Sequence, residues 1–274
     1  MNLKDTLEVA GRTDKGRVRS SNEDYIGEEL EIGVVALADG MGGYRGGEIA
    51  SAIAINTILD ELRQTIPGIG PGEIDESTGY SRQSIAARES IVKANQTIYQ
   101  TSRSQAQFQG MGTTIVLGIF HNNKITVAHV GDSRMYRLRD DELKTITVDH
   151  TLLQELIDRG LYTPEEARES LNKNLVTRAL GIESTVAVDI HEDIVFPGDF
   201  FLLCSDGLND MLEDEVIKAE LKAFDGNLSE TADHLIERAN DSGGKDNVSA
   251  LLIHALKAFP DKASWRRRLT RWFT

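Results

Sequence analysis

The chain has 274 residues, 40% hydrophobic and 27% charged, a balance that fits one large globular unit and excludes a low-complexity chain. A formal net charge of −14 argues against a nucleic-acid partner, because phosphate backbones attract the opposite sign. The one cysteine, Cys204, rules out an internal disulfide framework, and no apolar run reaches signal-peptide or membrane-spanning character, so a cytoplasmic protein is expected.

Residues 6–11 read as a strand, ended by the turn residues Asp14, Lys15 and Gly16. The polar stretch 17–25 then carries Arg19, Glu23 and Asp24. It reads either as a solvated loop or as a place where a planar guanidinium meets an oxyanion while an acid orients metal-bound water. Five apolar residues, Val34 to Ala38, form a short buried strand that runs into Asp39, Gly40, Met41, Gly42 and Gly43. Taken alone, that Asp-Gly pair is a turn; at the mouth of a buried strand it also suits a hard metal ion.

Apolar residues at helical spacing place helices over 46–66 and 82–103, separated by a Gly- and Pro-rich loop at 67–81. Gly112, Thr113 and Thr114 lead into a strand at 115–120, and His121-Asn122-Asn123 turns the chain back into a strand at 124–130. Further strands follow at 134–138 and 143–148, joined at Asp140-Asp141. The centre of the chain is therefore a run of antiparallel neighbours and not a βαβ succession. Residues 149–181 form a mostly helical insertion, with one helix at 149–160 and a second beginning near Thr163-Pro164. Strands return at 185–195 and 199–204, helices at 213–223 and 228–240, and a last strand at 248–254 follows a Gly-rich acidic loop.

Four acids sit where apolar strands give way to glycine: Asp39, Asp132, Asp206 and Asp246. Carboxylates that close to a core are costly unless neutralised, and two shared divalent cations would neutralise them. Zinc-type Cys/His spacing is missing from the sequence, so the ligands on offer are oxygens, which select Mg²⁺ or Mn²⁺. Such a pair of ions supports hydrolysis of a phosphate ester. Cys204 lies inside a buried strand and reads as an inert core thiol.

These residues carry a family resemblance. Arg19 with Asn22-Glu23-Asp24, Ala38-Asp39-Gly40-Met41-Gly42-Gly43, Gly112-Thr113-Thr114, Val130-Gly131-Asp132-Ser133-Arg134, Thr177-Arg178-Ala179-Leu180-Gly181, Ser205-Asp206-Gly207 and Gly244-Lys245-Asp246-Asn247 follow one another in family order. Over residues 7–256 the chain resembles the bacterial metal-dependent PP2C (PPM) serine/threonine protein phosphatases. The resemblance implies an α+β fold, a four-layer αββα sandwich of two antiparallel sheets flanked by helices, with residues 149–181 as a flap subdomain. It divides the chain into a phosphatase domain, 1–256, and a tail, 257–274.

By the same resemblance Asp39 bridges two Mn²⁺ or Mg²⁺ ions, the Gly40 carbonyl binds one of them, and Asp206 and Asp246 complete the first site. Glu23 and Asp24 hold metal-bound waters, Asp132 shares a third, weaker ion with Asp206, and Arg19 binds the substrate phosphate. The implied reaction is direct attack of water on phosphoserine or phosphothreonine in proteins, opposing a serine/threonine kinase, by a monomer. Met41 stands where eukaryotic members carry a histidine thought to protonate the leaving group. A metal-bound water is the first alternative acid and His150 at the root of the flap the second, although His150 also reads as a structural histidine at a helix start. In the tail, residues 261–274 combine two tryptophans with five basic residues against Asp261. That segment reads either as a helix packed on the body or a loose end, or as a weak contact with anionic lipid or an acidic partner, peripheral to the membrane.

Overall fold

The computed structural model describes residues 3, 5–43, 45–70, 72–163, 166 and 175–259. The strands are β1 (Leu7–Asp14), β2 (Asp24–Glu29), β3 (Val34–Met41), β4 (Gly112–Thr113), β5 (Ile115–His121), β6 (Lys124–Val130), β7 (Arg134–Arg139), β8 (Glu142–Thr145), β9 (Asp189–Ile194), β10 (Phe200–Cys204) and β11 (Val248–Ala255). The helices are α1 (Gly46–Thr65), α2 (Arg82–Ser104), α3 (Leu152–Asp158), α4 (Asp206–Asn209), α5 (Asp214–Lys222) and α6 (Leu228–Asp241).

Two antiparallel sheets result, one ordered β1-β11-β10-β7-β8 and the other β2-β3-β5-β6-β9, with the short β4 paired to β3. The period-two alternation of each strand explains how they stack. Along β3, Val35 and Leu37 join Val116, Phe201, Leu203, Leu251 and Ile253 in a core between the sheets. The intervening Val34, Ala36 and Ala38 face the other way, against Ala50, Ile55, Ile58 and Ile91 of α1 and α2. On the second sheet, Leu202, Cys204 and Leu252 face outward, against Ile217 of α5 and Leu235 of α6. Each sheet is thus apolar on both faces, and the layers are helix, sheet, sheet, helix.

Local chemistry fixes the connections. Asn122 and Asn123 both adopt positive φ (48° and 58°), as do Asp140 and Asp141 (47° and 67°), so both hairpins close in the two-residue turn whose twist matches the strands. Ser81 and Thr151 accept the backbone N–H of Ser84 and Gln154 and cap α2 and α3. The observed strands differ from expectation at several ends, β8 for one stopping at Thr145 where 148 is expected. Asp24 opens a strand where a loop reaching Tyr25 is expected, β1 runs on to Asp14, and β9 begins at Asp189 instead of residue 185.

Cys204 is fully buried and its thiol is pushed up to about 12 by that burial, as an inert core thiol should be. Among the described residues no helix is long and apolar enough to cross a membrane. The tail 260–274, and 164, 165 and 167–174 of the expected flap, lie outside the described residues.

Candidate active site

Strand pairing gathers the acids at one end of the sandwich. Asp24 and Asp39 are register partners across β2 and β3. β10 and β11 are antiparallel neighbours, so Asp206, just after β10, and Asp246, just before β11, emerge side by side. Asp132 lies in the link from β6 to β7, where the chain crosses from one sheet to the other. β1 pairs with β11, which lays the loop carrying Arg19 against the loop carrying Asp246. At that end opens a cleft of about 450 Å³ with Arg19, Glu23, Asp39, Gly40, Met41, Asp132, Asp206 and Asp246 in its wall.

Each of these positions is braced. The Asp39 N–H donates to Thr114 Oγ1 (3.0 Å), and the Asp39 carbonyl accepts from Thr114 N–H and Thr113 Oγ1 (both 2.8 Å). Asp24 does not face the cleft; it sits beneath it, 6% exposed, accepting Ser205 Oγ at 2.8 Å and Ser249 Oγ at 2.6 Å on one oxygen. Asn247 staples the Arg19 loop: its Nδ2 donates to the carbonyls of Lys15 (3.0 Å) and Ser21 (2.8 Å), and its Oδ1 accepts the Glu23 N–H (2.8 Å). Arg19 itself reaches Asp246 Oδ2 at 2.6 Å with its guanidinium still largely exposed. Asn247→Ala removes all three bonds at once. It is expected to lower stability by about 2 kcal/mol and raise KM about tenfold, checked by thermal melts and steady-state kinetics.

The electrostatics are those of a cation site. Burial, then the charges of Asp24, Asp206, Asp132 and Asp246, push the Asp39 carboxyl well above the usual carboxylate range. Asp206 is likewise raised by burial and then by Asp132 and Asp246. Burial pushes Asp132 up to about 6 and also raises Asp24 and Glu23. One oxygen of Asp24 and one of Asp206 are buried with no hydrogen-bond partner. Neither cysteine nor histidine lines the cleft, so its donors are oxygens suited to a hard divalent ion.

A pH dependence follows. Without divalent ions these carboxyls bind protons on folding, so their contribution to stability falls as pH rises above the ordinary carboxylate range, through about 6 for Asp24 and Asp132. Bound cations remove that penalty. The rise in Tm on adding Mn²⁺ is therefore expected to be larger near pH 8 than near pH 5; a shift that shrinks with rising pH contradicts it.

A family model described as protein phosphatase 2C matches residues 16–252. The chain belongs to the protein phosphatase 2C family. The serine/threonine phosphatase stp of Listeria innocua is 37% identical over 245 residues, covering 88% of this chain and 93% of that protein. The crystal structure of the Mycobacterium tuberculosis serine/threonine phosphatase PstP/Ppp superposes with a TM-score of 0.80 at 36% identity, covering 92% of this chain and 99% of that one. The PstP catalytic domain in complex with two manganese ions gives 0.76 at 35% identity, covering 92% and 99%.

In this PP2C-family chain every acid expected at the site comes to one end of the fold, but His150 does not join them. It is absent from the cleft wall. Its Nδ1 accepts the Gly131 N–H at 3.0 Å, and its ring stacks on His129 at 4.7 Å. Burial lowers it to about 4. It is therefore neutral at neutral pH and occupied by the backbone, which removes it as the proton donor. His129, His150 and Asp189 do bring three ligand-type atoms within 4.8 Å of one another. His150 Nε2 lies 3.2 Å from Asp189 and 3.1 Å from Arg178 Nη1, and Arg178, 2.7 Å from Asp189, already supplies the positive charge. That makes the cluster a knot tying His150 and Arg178 to β9 and to the turn before Asp132, and not a metal site.

Sequence reasoning assigned no role to Thr114, Asn247, Ser205 or Ser249. Thr114, Asn247 and Ser205 stand in the Gly112-Thr113-Thr114, Gly244-Lys245-Asp246-Asn247 and Ser205-Asp206-Gly207 motifs, which is the signal that marks them. Ser249 stands in none and gains meaning only when β10 and β11 pair.

Proposed function

We infer that this chain is a metal-dependent protein serine/threonine phosphatase. The observation that carries the reading is the cleft itself: mutually repelling, partly desolvated carboxylates, with an orphaned buried oxygen on Asp206 and another on Asp24 beneath, and the Arg19 guanidinium in the same wall.

Asp39, the Gly40 carbonyl, Asp206 and Asp246 would hold two Mn²⁺ or Mg²⁺ ions, with Glu23 and Asp24 supporting them and Asp132 beside Asp206 available to a third. Bound there, the ions supply Lewis acidity, lowering the pKa of water and neutralising phosphoryl charge. Arg19 offers its guanidinium to the non-bridging phosphate oxygens, a planar fork matched to that geometry. Its present partner Asp246 is exchanged for the phosphate when substrate enters. Thr113 and Thr114 fix the Asp39 main chain, so the carboxylate is aimed before substrate arrives. With Met41 in the cleft wall and no imidazole there, the leaving serine or threonine oxygen takes its proton from water.

A serine/threonine kinase supplies the substrates, the chain acts as a cytoplasmic monomer, and its basic tail adds at most a weak contact with an anionic surface; these are extensions of the same reading. The test is turnover of p-nitrophenyl phosphate and a phosphothreonine peptide, each with and without Mn²⁺. Mn²⁺-dependent release of phosphate from both is expected. Release from the small ester alone would point to small-molecule substrates, and release from neither to a binding module that keeps the fold.

A further inference from the structure

Beside the acidic cleft lies a second concavity, about 830 Å³, of different chemistry. Its floor is Ile49 and Phe108, both packed against the core under α1 and α2, with Ala106 exposed at one side. Arg45 stands at the lip, but its guanidinium is spent on Glu48, donating to both carboxylate oxygens at 2.7 and 3.0 Å. The groove is thus apolar below and nearly neutral above.

The two concavities share a wall. Gly42 lines the cleft and the next residue, Gly43, lines the groove. Glu48, which holds Arg45, is close enough to the cleft residue Glu23 that its charge acts on it. A peptide whose phosphorylated residue sits in the cleft has the groove within reach across Gly42 and Gly43.

We propose that this groove receives a bulky apolar side chain of the phosphoprotein substrate, a few residues from the phosphorylated serine or threonine. The proposal rests on the phosphatase reading and names a substrate class within it. The occupant follows from continuity, because the only polymer the cleft must admit is the one carrying the phosphate. It follows also from chemistry: Ile49 and Phe108 reward an aliphatic or aromatic side chain, and the internally paired Arg45 gives a charged one nothing. Gln107 and Gln109 border the groove with exposed amides that can donate to and accept from the substrate backbone.

The experiment compares kcat/KM for p-nitrophenyl phosphate, which is too small to reach the groove, with phosphothreonine peptides in which one leucine is walked along a Gly/Ser background. The wild-type chain is expected to prefer one leucine register about tenfold over the leucine-free peptide. Phe108→Ala shortens the floor and Ala106→Trp fills the groove from an exposed position without removing any packing. Both are expected to bring the preference to near unity while p-nitrophenyl phosphate turnover stays within about twofold. Ala106→Trp keeps the test open if Phe108→Ala proves unstable. A wild-type chain indifferent to leucine at every register overturns the proposal, as does a preference that survives Ala106→Trp. Loss of turnover on every substrate, Mn²⁺ included, would instead overturn the phosphatase reading beneath it.

Discussion

Asp39→Asn lowers kcat for both test substrates by about 10³-fold or more, and at the same time raises the Tm of the metal-free protein. The two effects have one cause. Asp39 is the carboxylate on which burial and the charges of Asp24, Asp206, Asp132 and Asp246 all bear, so its ionised form is held at a cost. An amide of the same shape removes that cost but withdraws the charge from the centre of the cation site. Hydrogen bonds to the Asp39 main chain from Thr113 and Thr114 do not depend on the side chain, so the fold survives. The increment in Tm produced by Mn²⁺ should shrink in the variant. Wild-type activity in Asp39→Asn, or a large fall in metal-free Tm, would place the function of this residue elsewhere.

Gly40→Ala acts through packing instead of charge and is expected to abolish activity with the carboxylates untouched. A Cβ at Gly40 would lie 2.2 Å from the carbonyl oxygen of Gly47, 2.4 Å from its carbonyl carbon and 2.6 Å from the carbonyl oxygen of Glu23. All three are backbone atoms, so no side chain can swing aside. The end of β3 must separate from the first turn of α1, and the Asp39-Gly40 corner moves with it. Overpacking of this kind costs about 3 kcal/mol, which for a chain of this size is a fall in Tm of about 5–10 °C. Thermal melts and Mn²⁺ titrations check it. A variant with wild-type Tm would show that β3 and α1 can part without loss.

Much of this architecture is legible in the chain. Unbroken apolar runs in β3, β10 and β11 mark strands buried on both faces, and helical spacing marks α1, α2, α5 and α6 to within a residue or so at each end. Asn122-Asn123 and Asp140-Asp141 announce their turns because few other residues accept positive φ at two consecutive positions. The acids of the site are legible for a related reason. A charged residue directly after a buried strand, followed by glycine, is cheap only if something neutralises it.

Other features are invisible until the sheets form. β2 reads Asp-Tyr-Ile-Gly-Glu-Glu, acidic and half exposed, and lies at the edge of its sheet, so it lacks the apolar signature of the inner strands. Ser205 and Ser249 converge on Asp24 only through the pairing of β10 with β11 and the packing of one sheet on the other. His150 is open on sequence between a helix-start histidine and a proton donor, and the fold decides for the structural role by spending its ring on Gly131 and His129. The groove at Ile49 and Phe108 has no sequence signature either, since its floor is made by two segments far apart in the chain.

The measurement that bears most directly on the account is anomalous diffraction from crystals of this protein grown with Mn²⁺. Two peaks within coordination distance of Asp39, with Asp206 and Asp246 turned toward them, are predicted. A map without anomalous density in the cleft, in which those three side chains diverge, would contradict it.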